Sequence, residues 1–135
     1  MTPVDPSGLL ALRSEPDIVA SRQLVRKLTQ QLGFSLVDQT KMITAASELS
    51  RNTVTYGGGG EMAWDIVEQG IKRGLRLRFV DQGPGIADIA QALTDGWTSG
   101  KGMGLGLSGS RRLVHEFDIQ SSVGAGTCVS VTRWK

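Results

Sequence analysis

The chain is poor in the residues on which much metal and extracellular chemistry depends: its 135 positions hold one cysteine, one histidine and one tyrosine. Cys128 can form no internal disulfide and has no cysteine partners for a metal site, which leaves a disulfide scaffold without support. With His115 the only imidazole, zinc chemistry and a Ser-His-Asp triad are equally unsupported. Long apolar runs are missing too, and Met1-Thr2-Pro3-Val4-Asp5-Pro6 lacks the basic and apolar regions of a signal peptide. These absences predict a cytoplasmic protein with no membrane contact. Charge of one sign is not concentrated either. Fifteen Lys and Arg face thirteen Asp and Glu, a net charge of +2, and the cations are scattered, which argues against a nucleic-acid partner.

What remains is 39% hydrophobic and 21% charged, a globular composition for which one domain over 1–135 is expected. A domain near this size buries roughly two-thirds of its unfolded surface, enough for a core and a cleft. Gly8–Arg13 reads as a short strand. Pro16-Asp17 then open a helix that carries Ile18, Val25, Leu28 and Leu32 near one face until Gly33. A second helix begins around Leu36 to Asp38, places Ile43, Ala46 and Leu49 on its apolar side, and stops before Gly57-Gly58-Gly59-Gly60. That glycine run reads as a flexible connection with no chemistry of its own. Met62–Val67 and Leu75–Val80 predict a hairpin with Arg76 and Arg78 on a wet face. Helical stretches are then expected at Ile86–Leu93 and Ser108–Phe117, the latter on the four-residue spacing of Leu113 and Phe117, and strands at Asp118–Val123 and Thr127–Trp134. This order predicts an α+β two-layer sandwich: a mixed, largely antiparallel sheet with helices on one face.

Three motifs could carry chemistry. Asp81-Gln82-Gly83-Pro84-Gly85-Ile86 follows the alternating run Leu75–Val80, so a carboxylate stands where a strand ends. In an apolar cleft it could accept a hydrogen bond from an exocyclic amine such as that of adenine, and the glycines would let a flat base approach; alone it could equally be an ordinary turn. Gly102-Met103-Gly104-Leu105-Gly106-Leu107-Ser108-Gly109 runs into a helix, where unpaired N–H groups and the helix dipole favour an anion such as phosphate. Its glycines would also admit positive φ angles. Gly104-x-Gly106-x-x-Gly109 fits the dinucleotide fingerprint but follows a polar loop rather than a strand and lacks the downstream acid; Gly96–Gly102 misses the P-loop by one residue and by its hydroxyl. In Ala46-Ser47-Glu48-Leu49-Ser50-Arg51-Asn52, Glu48 and Asn52 are one helical turn apart. An amide oxygen suits magnesium and a neighbouring carboxylate can take a proton, although Glu48 and Arg51 could simply form a weak surface pair.

Taken with Gly126-Thr127, these motifs resemble the Bergerat-type (GHKL) ATP-binding fold, shared by gyrase-type, chaperone-type and histidine-kinase ATP domains and by anti-sigma-factor serine kinases, over nearly the whole chain. The small size, the Ala46–Asn52 box, the Asp95-Gly96-Trp97-Thr98-Ser99 lid and the ending Gly124–Trp134 are similar to the RsbT type, kinases that phosphorylate STAS-domain antagonists in stress-signalling switches. The resemblance implies ATP and Mg2+ as cofactors. It implies that Glu48 is the catalytic base, that Asn52 coordinates magnesium, and that Asp81 binds the adenine amine with Thr127 supporting adenine through water. Gly83 and Gly85 would let adenine approach; Gly102, Gly104, Gly106 and the amides of Leu105 and Leu107 would wrap the phosphates, and Lys101 either joins them or is solvated. The implied partners are a STAS-domain antagonist and a PP2C-type phosphatase or a sigma factor. The alternative is a nucleotide-controlled anti-sigma or partner-binding switch with little catalysis. A histidine-kinase role would need a phosphoacceptor histidine, which His115, set among Arg111–Phe117, does not supply; a gyrase-type role would need a transducer domain.

Overall fold

The computed structural model describes residues 3–94 and 105–135. In chain order the elements are β1 (Ser7–Leu12), α1 (Glu15–Leu32), α2 (Leu36–Thr55), β2 (Gly60–Gln69), β3 (Lys72–Asp81), α3 (Ile89–Ala92), α4 (Leu105–Arg112), β4 (Glu116–Ser121) and β5 (Thr127–Trp134). The five strands form one sheet in the order β1-β2-β3-β5-β4. Each of its four ladders is antiparallel, so the described sheet has no parallel component.

Register explains the layering. Met62, Phe79, Val129 and Ile119 are consecutive cross-strand partners, and the first three are buried. One step along, Ala63, Arg78, Ser130 and Asp118 form the next row on the opposite face, where Arg78 and Asp118 are exposed. Arg76 meets its cross-strand neighbour Asp65 at 3.4 Å on that wet face. The buried face packs against Val25, Leu28 and Leu32 of α1 and Met42, Ala46 and Leu49 of α2, one apolar stripe per helix. The helices approach each other through small residues: Ser50 Oγ donates to Ser21 Oγ at 2.9 Å, both fully buried.

Local chemistry sets the helix limits. Asp17 Oδ2 accepts from the N–H groups of Arg13 and Ser14 at the start of α1, and Gly33 closes it with φ 79°. Ser35 Oγ accepts from Asp38 N at the start of α2. Two expected helices are shorter or displaced. α3 covers only Ile89–Ala92 instead of Ile86–Leu93, because Ile86 N donates to Ser121 Oγ at 2.8 Å and Asp88 supplies the cap through its bond from Gln91 N. α4 ends at Arg112 rather than Phe117. His115 N already bonds Thr132 O, and Phe117 sits in β4 opposite Val131, so strand alternation overrides the Leu113/Phe117 spacing. β4 accordingly begins at Glu116 and ends at Ser121, leaving Val123 exposed in the turn before β5. In the first hairpin the strands run further than expected, with only Gly70-Ile71 between them.

Asp38 and Arg133 join the two ends of the fold. Arg133, 9% exposed, donates from Nη2 to Asp38 Oδ1 at 2.6 Å and from Nη1 to Leu113 O at 2.9 Å. That guanidinium holds the Asp38 carboxyl below its ordinary pKa despite partial desolvation. Beside it, His115 Nδ1 accepts from Trp134 N, and burial together with Arg133 lowers the imidazole pKa. His115 is exposed, and its ring serves as the acceptor for the Trp134 backbone N–H. Cys128 is half-buried in β5, where burial raises its thiol pKa.

Candidate functional site

Between α2 and the core face of β3 and β5 lies a cavity of about 610 Å³, bounded at one end by the exit from β3 and at another by α4. Its walls are apolar at Leu49, Phe79, Ile86, Leu107 and Val129, with Asn52, Asp81 and Thr127 as polar points. A few polar groups in an apolar cleft fix a ligand's orientation.

Asp81 ends β3 directly opposite Thr127, the first residue of β5. Its Oδ1 accepts from Gly83 N at 2.9 Å. Desolvation raises the carboxyl pKa, and backbone N–H groups of Gly83 and Thr127 offset part of that rise. Gly85 also lines the cavity, with φ 77°; a Cβ there would stand 1.9 Å from Ser122 O, so the turn admits only glycine. Gly83 contributes space as well as its N–H, since a Cβ on it would come within 2.7 Å of Gly57 Cα.

Glu48 and Asn52 converge on the first turn of α4. A Cβ on Gly106 would lie 3.2 Å from Glu48 Oε2 and 3.3 Å from Asn52 Nδ2. Gly106 and Leu107 are thus helical, where a glycine loop with the helix starting at Ser108 was expected. Gly106 has no positive φ, so close approach to α2, rather than backbone freedom, explains the glycine. Arg51 does not pair with Glu48: its Nη1 lies 3.6 Å from Glu15 Oε1 on the exposed side of α2. Leu105 opens α4, and its side chain is not described. Lys101, Gly102, Gly104 and the Asp95–Ser99 stretch lie outside the described residues.

Two residues of the site were not legible in the sequence. Gly57 is more than a connector: it lines the cavity, and a Cβ on it would come within 2.5 Å of the Asp81 carboxyl carbon. Ser121 ties the walls together. Its Oγ accepts from Ile86 N, donates to Gly126 O at 2.9 Å, and shares a hydrogen bond with Thr127 Oγ1 at 2.8 Å. The one advance signal for Gly57 was a glycine directly after a helix that carries site residues; Ser121 had none.

Among the described residues no group of three or more His, Cys, Asp or Glu is placed to hold a metal ion unaided. Asn52 Nδ2, however, is a buried polar atom with no hydrogen-bond partner. Leaving such an amide unmatched is unfavourable, and a half-turn of its plane would present the carbonyl oxygen instead, a hard ligand. Asn52 therefore fits a shared site in which a ligand's own oxygens supply the remaining contacts to magnesium.

A carboxylate on an apolar floor, a helix N-terminal turn, and a carboxylate–amide pair beside it can together hold a purine, an anion and a hard cation. Residues 37–135 match the model of the histidine kinase-, DNA gyrase B-, and HSP90-like ATPases. The chain belongs to this family. Over 123 residues, 91% of this chain and 92% of the relative, it is 43% identical to the serine/threonine-protein kinase RsbT of Bacillus subtilis (strain 168). Anti-sigma F factors of two Thermoanaerobacter strains, X514 and pseudethanolicus ATCC 33223, are each 24% identical over 118 residues, 84% of this chain and 82% of theirs. The α+β layering with a five-stranded antiparallel sheet is consistent with this ATPase family. No described helix is long and apolar enough to cross a membrane.

Proposed function

We propose that this ATPase-family chain is an ATP-dependent serine/threonine protein kinase that phosphorylates a STAS-domain antagonist in a partner-switching pathway. The observation that carries this reading is the approach of both Glu48 and Asn52 to Gly106, with Asn52 lining the same cavity as Asp81. Asp81 would accept from the adenine amine, Thr127 would support the ring through water, and Gly57, Gly83 and Gly85 would leave room for it. The N–H groups of Leu105, Gly106 and Leu107, at the N-terminal end of α4, would receive phosphate oxygens, and Lys101, Gly102 and Gly104, which precede them in the sequence, would join them. Asn52 would hold magnesium, which, when bound, screens phosphate charge. Glu48 would take the proton from the attacking hydroxyl of the partner's serine or threonine.

As a kinase, the chain would also bind and activate a PP2C-type phosphatase. The relatives named anti-sigma F factors favour a second reading, a nucleotide-controlled switch that binds a sigma factor or antagonist with little catalysis. One experiment separates the readings. Purified protein is mixed with labelled ATP, magnesium and a STAS-domain protein. Label is expected on a serine or threonine of the antagonist and not on this chain. Glu48→Gln is expected to retain nucleotide binding while transfer falls by about 10²-fold or more, and Asn52→Asp to change the magnesium dependence. Label on this chain alone, or tight ATP binding with no label on any partner, would promote the binding switch.

A further inference from the structure

Three contacts converge on one hydroxyl beside Thr127. Ser121 Oγ lies 2.8 Å from Ile86 N, 2.9 Å from Gly126 O and 2.8 Å from Thr127 Oγ1. A hydroxyl has one hydrogen and two lone pairs. Ile86 N can only donate, so it takes one lone pair; Gly126 O can only accept, so it takes the hydrogen. What is left for Thr127 is the second lone pair, which Thr127 fills with its own hydrogen. Every other assignment gives up one of the three bonds, which is unfavourable at a half-buried position.

The frame around this hydroxyl has supports of its own. Gly124 N donates to Pro84 O at 2.8 Å, a Cβ on Gly85 would stand 1.9 Å from Ser122 O, and one on Gly126 would stand 2.2 Å from Asp81 O. The turn after β3 and the turn between β4 and β5 are thus packed backbone against backbone. Thr127 is placed by that packing and by its position opposite Asp81 in the ladder. What Ser121 adds is the direction of a hydrogen. With that hydrogen spent on Ser121, Thr127 has only lone pairs for any other partner, and the Asp81 carboxylate is likewise an acceptor. Both residues line the cavity, so its polar points at the end of β3 favour donors.

We propose that Ser121 is a specificity-determining positioning residue of the nucleotide site: by holding the Thr127 hydrogen it keeps Thr127 an acceptor and selects 6-amino over 6-oxo purines. This rests on the assignment of Asp81 and Thr127 to adenine made above. A water that joins Thr127 to the ring spends one hydrogen on Thr127 and has its other for an unprotonated ring nitrogen, while Asp81 accepts from the amine. A 6-oxo purine presents the opposite pattern, an oxygen in place of the amine and an N–H in place of the neighbouring ring nitrogen. It can use Thr127 as a donor only if the Thr127 hydrogen leaves Ser121, which forfeits one hydrogen bond. Without Ser121 Oγ there is no such bond to forfeit.

Calorimetry of the full chain with ATP and with ITP, which differ only at the 6-position and its neighbouring ring nitrogen, tests this. The wild type is expected to prefer ATP. Ser121→Ala should narrow that preference by roughly fivefold, the equivalent of one neutral hydrogen bond, and Ser121→Thr, which keeps the hydroxyl, should restore it. Thr127→Val, which leaves Ser121 its bonds to Ile86 and Gly126, should narrow the ratio as well, and adding Ser121→Ala to it should change the ratio no further. A Ser121 that only braces the turns would weaken both nucleotides alike. An unchanged ratio in a cooperatively melting Ser121→Ala therefore overturns the proposal, as does a Ser121→Ala narrowing that persists on top of Thr127→Val. An unchanged ratio in Thr127→Val overturns it even if Ser121→Ala fails to fold. Asp81→Asn separates the two levels: if it leaves ATP affinity unaltered, the adenine assignment falls and this inference with it. If it weakens ATP while Ser121→Ala leaves the ratio unchanged, this inference alone falls.

Discussion

Asp81 stands where desolvation works against its charge, while two backbone amides point at it. A hydrogen bond to a charged group contributes roughly 1.5–3 kcal/mol, so Asp81→Asn is expected to weaken ATP binding by about 10- to 100-fold in calorimetry. Its melting should stay cooperative and near wild type; unaltered affinity would place adenine elsewhere. Acidification should act in the same direction. The folded pKa lies above the usual 3.8, so the carboxylate is lost at a higher pH than in an ordinary aspartate, and ATP affinity should fall as pH drops through that window. The effect on folding has the opposite sign. Because the fold disfavours the ionised form, the contribution of Asp81 to stability improves as pH falls through the raised pKa. Binding measured against pH should therefore slope in the wild type and lose that component in Asp81→Asn. Gly57 sets a second residue-scale condition on the same carboxylate. Its role could not be read from sequence because the clash that demands glycine is with a residue on another element, Asp81.

At the scale of elements, α4 is placed by contact with α2 at Gly106. Gly106→Val is expected to weaken ATP markedly and adenosine much less, because the new side chain would press on Glu48 and Asn52 beside the anion end while leaving Asp81 untouched. Equal losses for both ligands, with a changed circular dichroism spectrum, would point to a displaced helix instead. The long elements were legible because each carries its period without help: Ile18, Val25, Leu28 and Leu32 on α1, the alternation of β3, and the Asp81 and Gly106 motifs at their ends. The short ones were not. Ile86 belongs to β4's neighbourhood through Ser121, and Phe117 to the sheet through Val131, so both were settled by partners far along the chain rather than by local pattern.

For the molecule as a whole, the Arg133–Asp38 contact fastens the last strand to the first turn of α2. Asp38→Ala leaves a nearly buried guanidinium with Leu113 O as its remaining described partner and Nε already unmatched. A stability loss of about 2 kcal/mol is expected in denaturant unfolding, at the low side for a buried pair because Asp38 is partly exposed. ATP affinity should change little, since the contact is not part of the cavity wall. Behind the cavity wall, Ser121 owns a single proton and two acceptors for it, Gly126 O and Thr127 Oγ1. When that proton goes to Gly126 O, Thr127 donates to Ser121. When it goes to Thr127 Oγ1, the Thr127 hydrogen is no longer held by Ser121. The pair is thus two-way: moving one hydrogen between two oxygens, without shifting a heavy atom, turns Thr127 from donor to acceptor toward Ser121.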